Sequence, residues 1–121
     1  MTVPQVIAQI DGLNGKTVSV RGYLGQCSGY TCGLFVDRVG HDAWYRYMDA
    51  ISRRERPPID NTPRLGIGAG KVFDAKAASL QNSFVIITGK VTNMCRDNGR
   101  PACTDRTTDL EPTDIAPLKD K

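Results

Sequence analysis

Four cysteines occur in two closely spaced pairs, and each pair follows a strand-like run of residues. Cys27 and Cys32 enclose Ser-Gly-Tyr-Thr, and Cys95 and Cys103 enclose Arg-Asp-Asn-Gly-Arg-Pro-Ala. Turn residues between the members of a pair favour local disulfides in an oxidising compartment. One zinc site shared by the four sulfurs and four reduced thiols are the alternatives that this spacing leaves open. We therefore predict two local disulfides, each of which constrains one loop.

The length of 121 residues predicts one domain over residues 1–121, with a frayed tail at 119–121. No apolar stretch approaches the roughly 20 residues that span a bilayer, so we predict no transmembrane segment. The opening residues Met1-Thr-Val-Pro-Gln lack the basic and apolar regions of a signal peptide. The cysteine pairs nevertheless favour a periplasmic or secreted location for a mature form of the chain, and a cytoplasmic location is the alternative.

Several segments have the residue pattern of β-strands. From Thr17 to Leu24, apolar residues alternate strictly with polar ones, which is typical of a strand with one buried face. The loop between the first two cysteines predicts a hairpin, so the second strand should be an antiparallel neighbour of the first. The further strands are predicted at Cys32–Asp37, Arg64–Ile67, Phe84–Thr92 and Asp109–Leu118, the last interrupted by Pro112.

Helical periodicity marks three other segments, Val3–Ile10, Asp42–Arg54 and Phe73–Leu80. In the second, apolar residues recur at intervals of three and four and predict one stripe that packs on the sheet. Asp42 is the predicted N-cap of that helix. The stripe consists of Trp44, Tyr47, Met48 and Ile51.

The order of these elements is that of an OB-fold, with a helix inserted between the second and third strands and a short helix at the N-terminus. The run Asn14-Gly-Lys-Thr-Val-Ser-Val-Arg-Gly-Tyr-Leu24 resembles the opening strand of small bacterial OB-fold-like proteins, mostly secreted or lipid-anchored, whose function is unassigned. Val85-Ile-Ile-Thr-Gly89 fills the place of their second Val-x-Val-x-Gly element. The resemblance covers residues 1–37 and 80–118. It implies a mainly β, five-stranded OB-like barrel and brings no catalytic residues.

The motifs that could carry chemistry do not assemble into an active site. In the glycine-rich segment 66–71, Leu65 replaces the first glycine of a phosphate-binding loop and Val72 replaces its serine or threonine. His41 is the sole histidine, and because it is adjacent to Asp42 at a helix start we expect no catalytic dyad between them. We therefore predict no catalytic residues, no metal site and no cofactor, and a protein that is not an enzyme.

In an OB barrel, the loops after strands 1 and 4 lie at the same end, beside the ligand face. We therefore predict a non-enzymatic binding module whose ligand or protein partner is unknown. Single-stranded nucleic acid on the same face is the alternative, using the aromatic and basic residues from Trp44 to Arg56. A net charge of +3 does not favour it, and a protein-capping or inhibitor role is a third hypothesis. The predicted ligand contacts are Arg21, Tyr23, Gln26, Tyr30, Arg96 and Arg100.

Overall fold

A computed structural model describes residues 1–58, 62–97, 100–101, 103 and 106–118, the backbone alone at 100–101. The helices are α1 (Val3–Ala8), α2 (Ile10–Leu13), α3 (Arg38–Ser52) and α4 (Lys71–Ala78). The strands are β1 (Thr17–Ser28), β2 (Thr31–Phe35), β3 (Arg64–Gly66), β4 (Ser83–Val91), β5 (Arg96–Asp97), β6 (Arg100–Pro101) and β7 (Leu110–Pro117). The chain is therefore mainly β with short helices, and α3 is the predicted insertion between β2 and β3.

Five strands form one antiparallel sheet in the order β3-β2-β1-β4-β7. Strands β1 and β4 pair along most of their length, with Val20 opposite Ile87. The predicted hairpin is also present, with Cys27 opposite Cys32 and a turn at Gly29 that has a positive φ of 59°. The two-residue strands β5 and β6 form a separate small hairpin where the sequence predicted a loop.

The sheet does not close into a barrel, which corrects the expectation from the sequence. Among the described residues, its edge strands β3 and β7 meet at an isolated parallel bridge between Ile67 and Leu110. Two backbone bonds flank it: the amide of Gly68 donates to the carbonyl of Leu110 at 2.9 Å, and the amide of Asp109 donates to that of Gly66 at 2.8 Å. A strand of three residues such as β3 is too short to extend this contact into a ladder.

The hydrophobic core lies on one face of the sheet. The alternation predicted for β1 places Val20 and Leu24 on this face, both fully buried, while Arg21 and Tyr23 project from the other face. Helices α1 and α4 cover the core face, because their apolar residues pack against the strands. The members of this cluster include Val3, Val6, Val20, Leu24, Phe73, Ala77, Val85 and Ile87.

Helix α3 lies over the opposite face of the sheet. It begins at Arg38, four residues before the predicted start, and its N-cap is Asp37, so the N-cap predicted at Asp42 is wrong. The carboxylate of Asp37 accepts a hydrogen bond from the amide of Gly40 at 2.9 Å. Asp37 has the extended backbone of a residue that follows a strand, and this geometry allows an N-cap side chain to reach the first turn.

Candidate ligand-binding face

Aromatic rings cover the face of the sheet that is opposite the core. Tyr23 and Phe35 are Cα partners across β1 and β2, and period two places their rings on the same side. From α3, the His41 ring lies 5.1 Å from that of Tyr23 and 5.3 Å from that of Phe35, measured between ring centroids. The spacing of three and four residues along α3 brings Trp44 and Tyr45 to the same side. We call this surface the aromatic face; its members are Tyr23, Phe35, His41, Trp44, Tyr45 and Phe84.

A β-bulge in β1 shapes the aromatic face. The register between β1 and β2 shifts between Leu24 and Cys27, so one residue of β1 has no partner across the ladder. The amide of Gln26 donates instead to the hydroxyl of Tyr45 at 3.0 Å. At Gly25 a Cβ atom would lie 2.9 Å from that hydroxyl oxygen and 3.0 Å from the Phe35 ring. Glycine is therefore required at this position for α3 to approach β1 so closely.

A cavity of about 300 Å³ opens beside the bulge, between α3 and the turn that precedes β4. We call it the amide cavity, because three of its five lining residues carry side-chain amides. Asn82 has a left-handed backbone with a φ of 61°. The backbone N–H of Asn82 donates to the carbonyl of Leu24 at 2.8 Å, and the backbone carbonyl of Asn82 accepts from the hydroxyl of Tyr23 at 3.0 Å. The lining residues are Gln26, His41, Tyr45, Gln81 and Asn82.

A second cavity, of about 270 Å³, lies beyond the end of β2, where Thr2 forms an isolated parallel bridge with Arg21 of β1. Apolar side chains dominate its wall, and Arg21 supplies the cation, so we call it the arginine cavity. Phe84, which contacts Tyr23 edge-on at 5.2 Å between ring centroids, also lines this cavity and is 45 % exposed. The other lining residues are Thr2, Val3, Gly22, Val36 and Leu118.

His41 and Asp42 do form a hydrogen-bonded pair, which corrects the expectation that adjacent residues at a helix start do not meet. Nδ1 of His41 lies 2.8 Å from Oδ1 of Asp42. This hydrogen bond, with help from the nearby Arg38, holds the pKa of Asp42 below its ordinary value of 3.8. The pair fixes the orientation of the imidazole at the wall of the amide cavity.

Both predicted disulfides are present. Cys27 is bonded to Cys32 and Cys95 to Cys103, with S–S distances of 2.08 Å and 2.07 Å. The two loops leave the sheet at opposite ends of β1, which differs from the expectation: β4 ends beside the start of β1, whereas the β1–β2 turn follows the end of β1. Nη1 of Arg106, in the segment after β6, donates to the carbonyl of Gly29 in the β1–β2 turn at 3.4 Å.

Two arginine–aspartate pairs anchor the segment between β4 and β7, and the sequence analysis missed both. Arg106 donates to both carboxylate oxygens of Asp74, at 3.0 Å and 2.8 Å, and to the carbonyls of Ile67 and Gly68. Arg96 donates to both carboxylate oxygens of Asp109, each at 2.7 Å. The Asp109 side chain is fully buried and the Arg96 side chain is 8 % exposed. No short sequence spacing marks these pairs, since their members lie 32 and 13 residues apart.

Arg64 is a further, partly buried cation that the sequence analysis missed. Its guanidinium lies 4.5 Å from the centroid of the Trp44 ring, which is a cation–π contact. Its Nε is buried without a hydrogen-bond partner among the described residues. Burial lowers the pKa of Arg64, with an opposing contribution from Asp109. Of the apolar stripe predicted on α3, Trp44 thus packs inward, whereas Met48 and Ile51 are 41 % and 43 % exposed.

The predicted ligand contacts fall into three environments. Gln26 and Arg21 line the two cavities, and Tyr30 is 83 % exposed at the β1–β2 turn. Tyr23 is buried, and its hydroxyl is already bonded to Asn82. The guanidinium of Arg96 is engaged by Asp109. The side chain of Arg100 lies outside the described residues.

The fold and this face define a small, mainly β domain with two disulfides. No protein-family description, curated protein or solved structure matches the chain. In the part of the chain that the structure describes, no helix has the length and apolarity needed to cross a membrane.

Proposed function

We propose that this protein is a non-enzymatic, OB-like binding module of the periplasm or the extracellular space. The strand order and the contact between β3 and β7 support the OB-like assignment, because an OB-fold joins its third and fifth strands in parallel. Two disulfides are compatible with an oxidising compartment. The fold thus supports a ligand face on the side of the sheet that carries the aromatic rings.

The observation that carries the proposal is the aromatic face with its two cavities. Ligand sites are concave and combine apolar or aromatic walls with a few well-placed polar groups. The arginine cavity has this composition, whereas every lining residue of the amide cavity carries a polar group and two of them are aromatic. Each cavity uses a predicted contact, Arg21 in the first and Gln26 in the second. The polar groups that line them are amides, hydroxyls, an imidazole and one guanidinium, which hold a ligand through hydrogen bonds.

The charge distribution favours a small or neutral ligand over single-stranded nucleic acid. Binding of a phosphate backbone needs a row of free cations along the groove. Arg96 is already engaged by the buried carboxylate of Asp109, and Arg106 by the partly exposed carboxylate of Asp74. At the end of α3, Arg53 pairs with both Asp49 and Glu55. Among the described residues that line the two cavities, Arg21 is the basic side chain available to a phosphate.

Nuclear magnetic resonance of the nitrogen-15-labelled protein tests this function with two probes, neutral trisaccharides and a ten-residue oligothymidylate at physiological salt. We expect saturable shifts on the aromatic face and recovery of the probe chemically unchanged. Shifts confined to the core face, or conversion of a probe into a product, would refute the proposal. Tight oligonucleotide binding with a steep dependence on salt would favour the nucleic-acid function instead.

A further inference from the structure

The amide cavity is lined by neutral hydrogen-bonding groups. Gln26, Gln81 and Asn82 each bring a side-chain amide, which can donate two hydrogen bonds and also accept them. Tyr45 brings a hydroxyl and His41 an imidazole whose other nitrogen, Nε2, makes no hydrogen bond with the described residues. No lysine, arginine, aspartate or glutamate of the described chain lines this cavity. The lining therefore matches a ligand that both donates and accepts hydrogen bonds and carries no net charge.

The backbone positions that carry two of these amides, Gln26 and Asn82, are fixed before any ligand binds. The β-bulge directs Gln26 toward α3, and the backbone N–H of Gln26 donates a hydrogen bond to the Tyr45 hydroxyl. Asn82 has both backbone polar groups bonded to β1, so its side chain extends from a rigid point. The Asp42 carboxylate holds the His41 ring, which also contacts the Tyr45 ring at 4.6 Å between centroids. Such preorganisation lowers the entropy cost of binding.

A sugar ring fits this combination of groups. Its hydroxyls each donate and accept a hydrogen bond, as amide side chains do, and its C–H faces pack against aromatic rings such as those of His41 and Tyr45. A cavity of about 300 Å³ lies at the lower end of the range for ligand sites, which suits a single ring. Anionic ligands would instead need cationic partners, which this cavity lacks. We infer that the amide cavity binds one neutral sugar residue, an inference that rests on the proposed binding function.

The neighbouring Phe84 indicates how a longer glycan would extend. Phe84 is two residues from Asn82 in the chain, lines the arginine cavity, and is 45 % exposed. A second sugar residue of a glycan chain can pack on this ring, whereas a free monosaccharide cannot reach it. Tighter binding of a trisaccharide than of glucose therefore indicates a glycan as the source of the sugar, and equal binding indicates a free sugar.

Two variants test the cavity with little change to the fold. Asn82→Gly removes the amide and keeps a residue that adopts the positive φ without strain. Gln81→Ala removes the adjacent amide from the same turn. The matched control is Gln9→Ala, which removes an exposed glutamine that follows α1 and lies outside the cavity. Urea unfolding of each variant verifies that the fold is intact.

The probes are glucose, cellotriose, maltotriose and triacetylchitotriose, titrated to about 10 mM while amide shifts are recorded. We expect at least one to saturate, with shifts around residues 24–26, 41–45 and 79–83 and an affinity that does not change with salt. Asn82→Gly and Gln81→Ala should each weaken it about three- to tenfold, as expected for one lost neutral hydrogen bond, and Gln9→Ala should not.

Three results would overturn the inference: no sugar shifts these residues, the two variants bind as well as the control does, or oligothymidylate occupies the same residues more tightly than any sugar. Sugar binding that maps to the arginine cavity would refute the assignment to the amide cavity and leave the proposed binding function standing. Cleavage of a trisaccharide would refute the proposed function itself.

Discussion

The change Asp109→Asn tests how far the buried ion pair stabilises the fold. The Asp109 carboxylate accepts two hydrogen bonds from Arg96 and one from the backbone amide of Gly66, the last at 2.8 Å. Asparagine retains one oxygen acceptor and places an NH₂ group where the second oxygen was, so a donor then faces a donor. The guanidinium of Arg96, 8 % exposed, loses the countercharge of Asp109.

Removing one partner of a buried ion pair costs about 3–5 kcal/mol, because the other charge stays buried. For a domain whose whole stability is about 5–15 kcal/mol, this is a large fraction. With a urea m-value of about 1.5 kcal/mol per molar, the unfolding midpoint should fall by about 2–3 M. The double variant with Arg96→Met should lose less than the sum of the two single changes, since the two side chains contact each other directly.

Urea unfolding followed by tryptophan fluorescence measures these midpoints, and Trp44 is the single reporter. The matched control is Asp114→Asn, which breaks the exposed pair with Lys76 and should leave the midpoint nearly unchanged. If Asp109→Asn and Asp114→Asn lower the midpoint equally, the buried pair does not anchor the segment before β7 and the reasoning fails.

Three further expectations concern the aromatic face and the disulfides. Tyr45→Phe removes the hydroxyl that accepts from the backbone N–H of Gln26, and urea unfolding should show a free energy of unfolding lower by about 1 kcal/mol. An unchanged free energy would contradict the role of this hydroxyl at the bulge. The hydrogen bond from His41 lowers the pKa of Asp42 in the folded protein. The ionised Asp42 therefore stabilises the fold above its unfolded pKa of about 3.9, and this stabilisation is lost as pH falls through its lower pKa in the folded state. The difference in urea midpoint between wild type and Asp42→Asn should therefore shrink between about pH 5 and pH 2, and a difference that grows there would be inconsistent with this shift. Intact mass should lie about four hydrogens below that of the reduced chain, and reduction should cost about 2–3 kcal/mol per loop on the chain-entropy model; four titratable thiols in the native protein would contradict both.

Local patterns in the sequence were sufficient to predict most of the sheet. The alternation from Thr17 to Leu24 predicted β1 and its buried face, and the hairpin between the first cysteine pair followed from the turn residues. The N-cap of α3 was misplaced because Asp37 and Asp42 are both suitable caps, and the end of β2 determines which one is used. Barrel closure was overestimated because the order of the elements does not show that β3 and β7 meet at an isolated bridge instead of along a ladder.

The candidate site was predictable only in part. Gln26 was predicted from its place beside the first disulfide, whereas the bulge that positions it is a feature of the structure. The turn that carries Gln81 and Asn82 had no recognisable motif, because its position beside α3 depends on contacts between distant segments. Arg96 was predicted to contact ligand, but its carboxylate partner comes from a segment whose path the sequence does not specify.

The most direct test of the account is an isotope-filtered NOE experiment on the protein with a saturating neutral trisaccharide. The account predicts contacts between sugar protons and both the side-chain amide protons of Asn82 and the ring protons of Tyr45. The same contacts should be lost for Asn82 in the Asn82→Gly variant. Contacts that involve only Tyr30 at the β1–β2 turn, or no intermolecular contacts with the aromatic face under saturating conditions, would contradict the claim that this face binds the ligand.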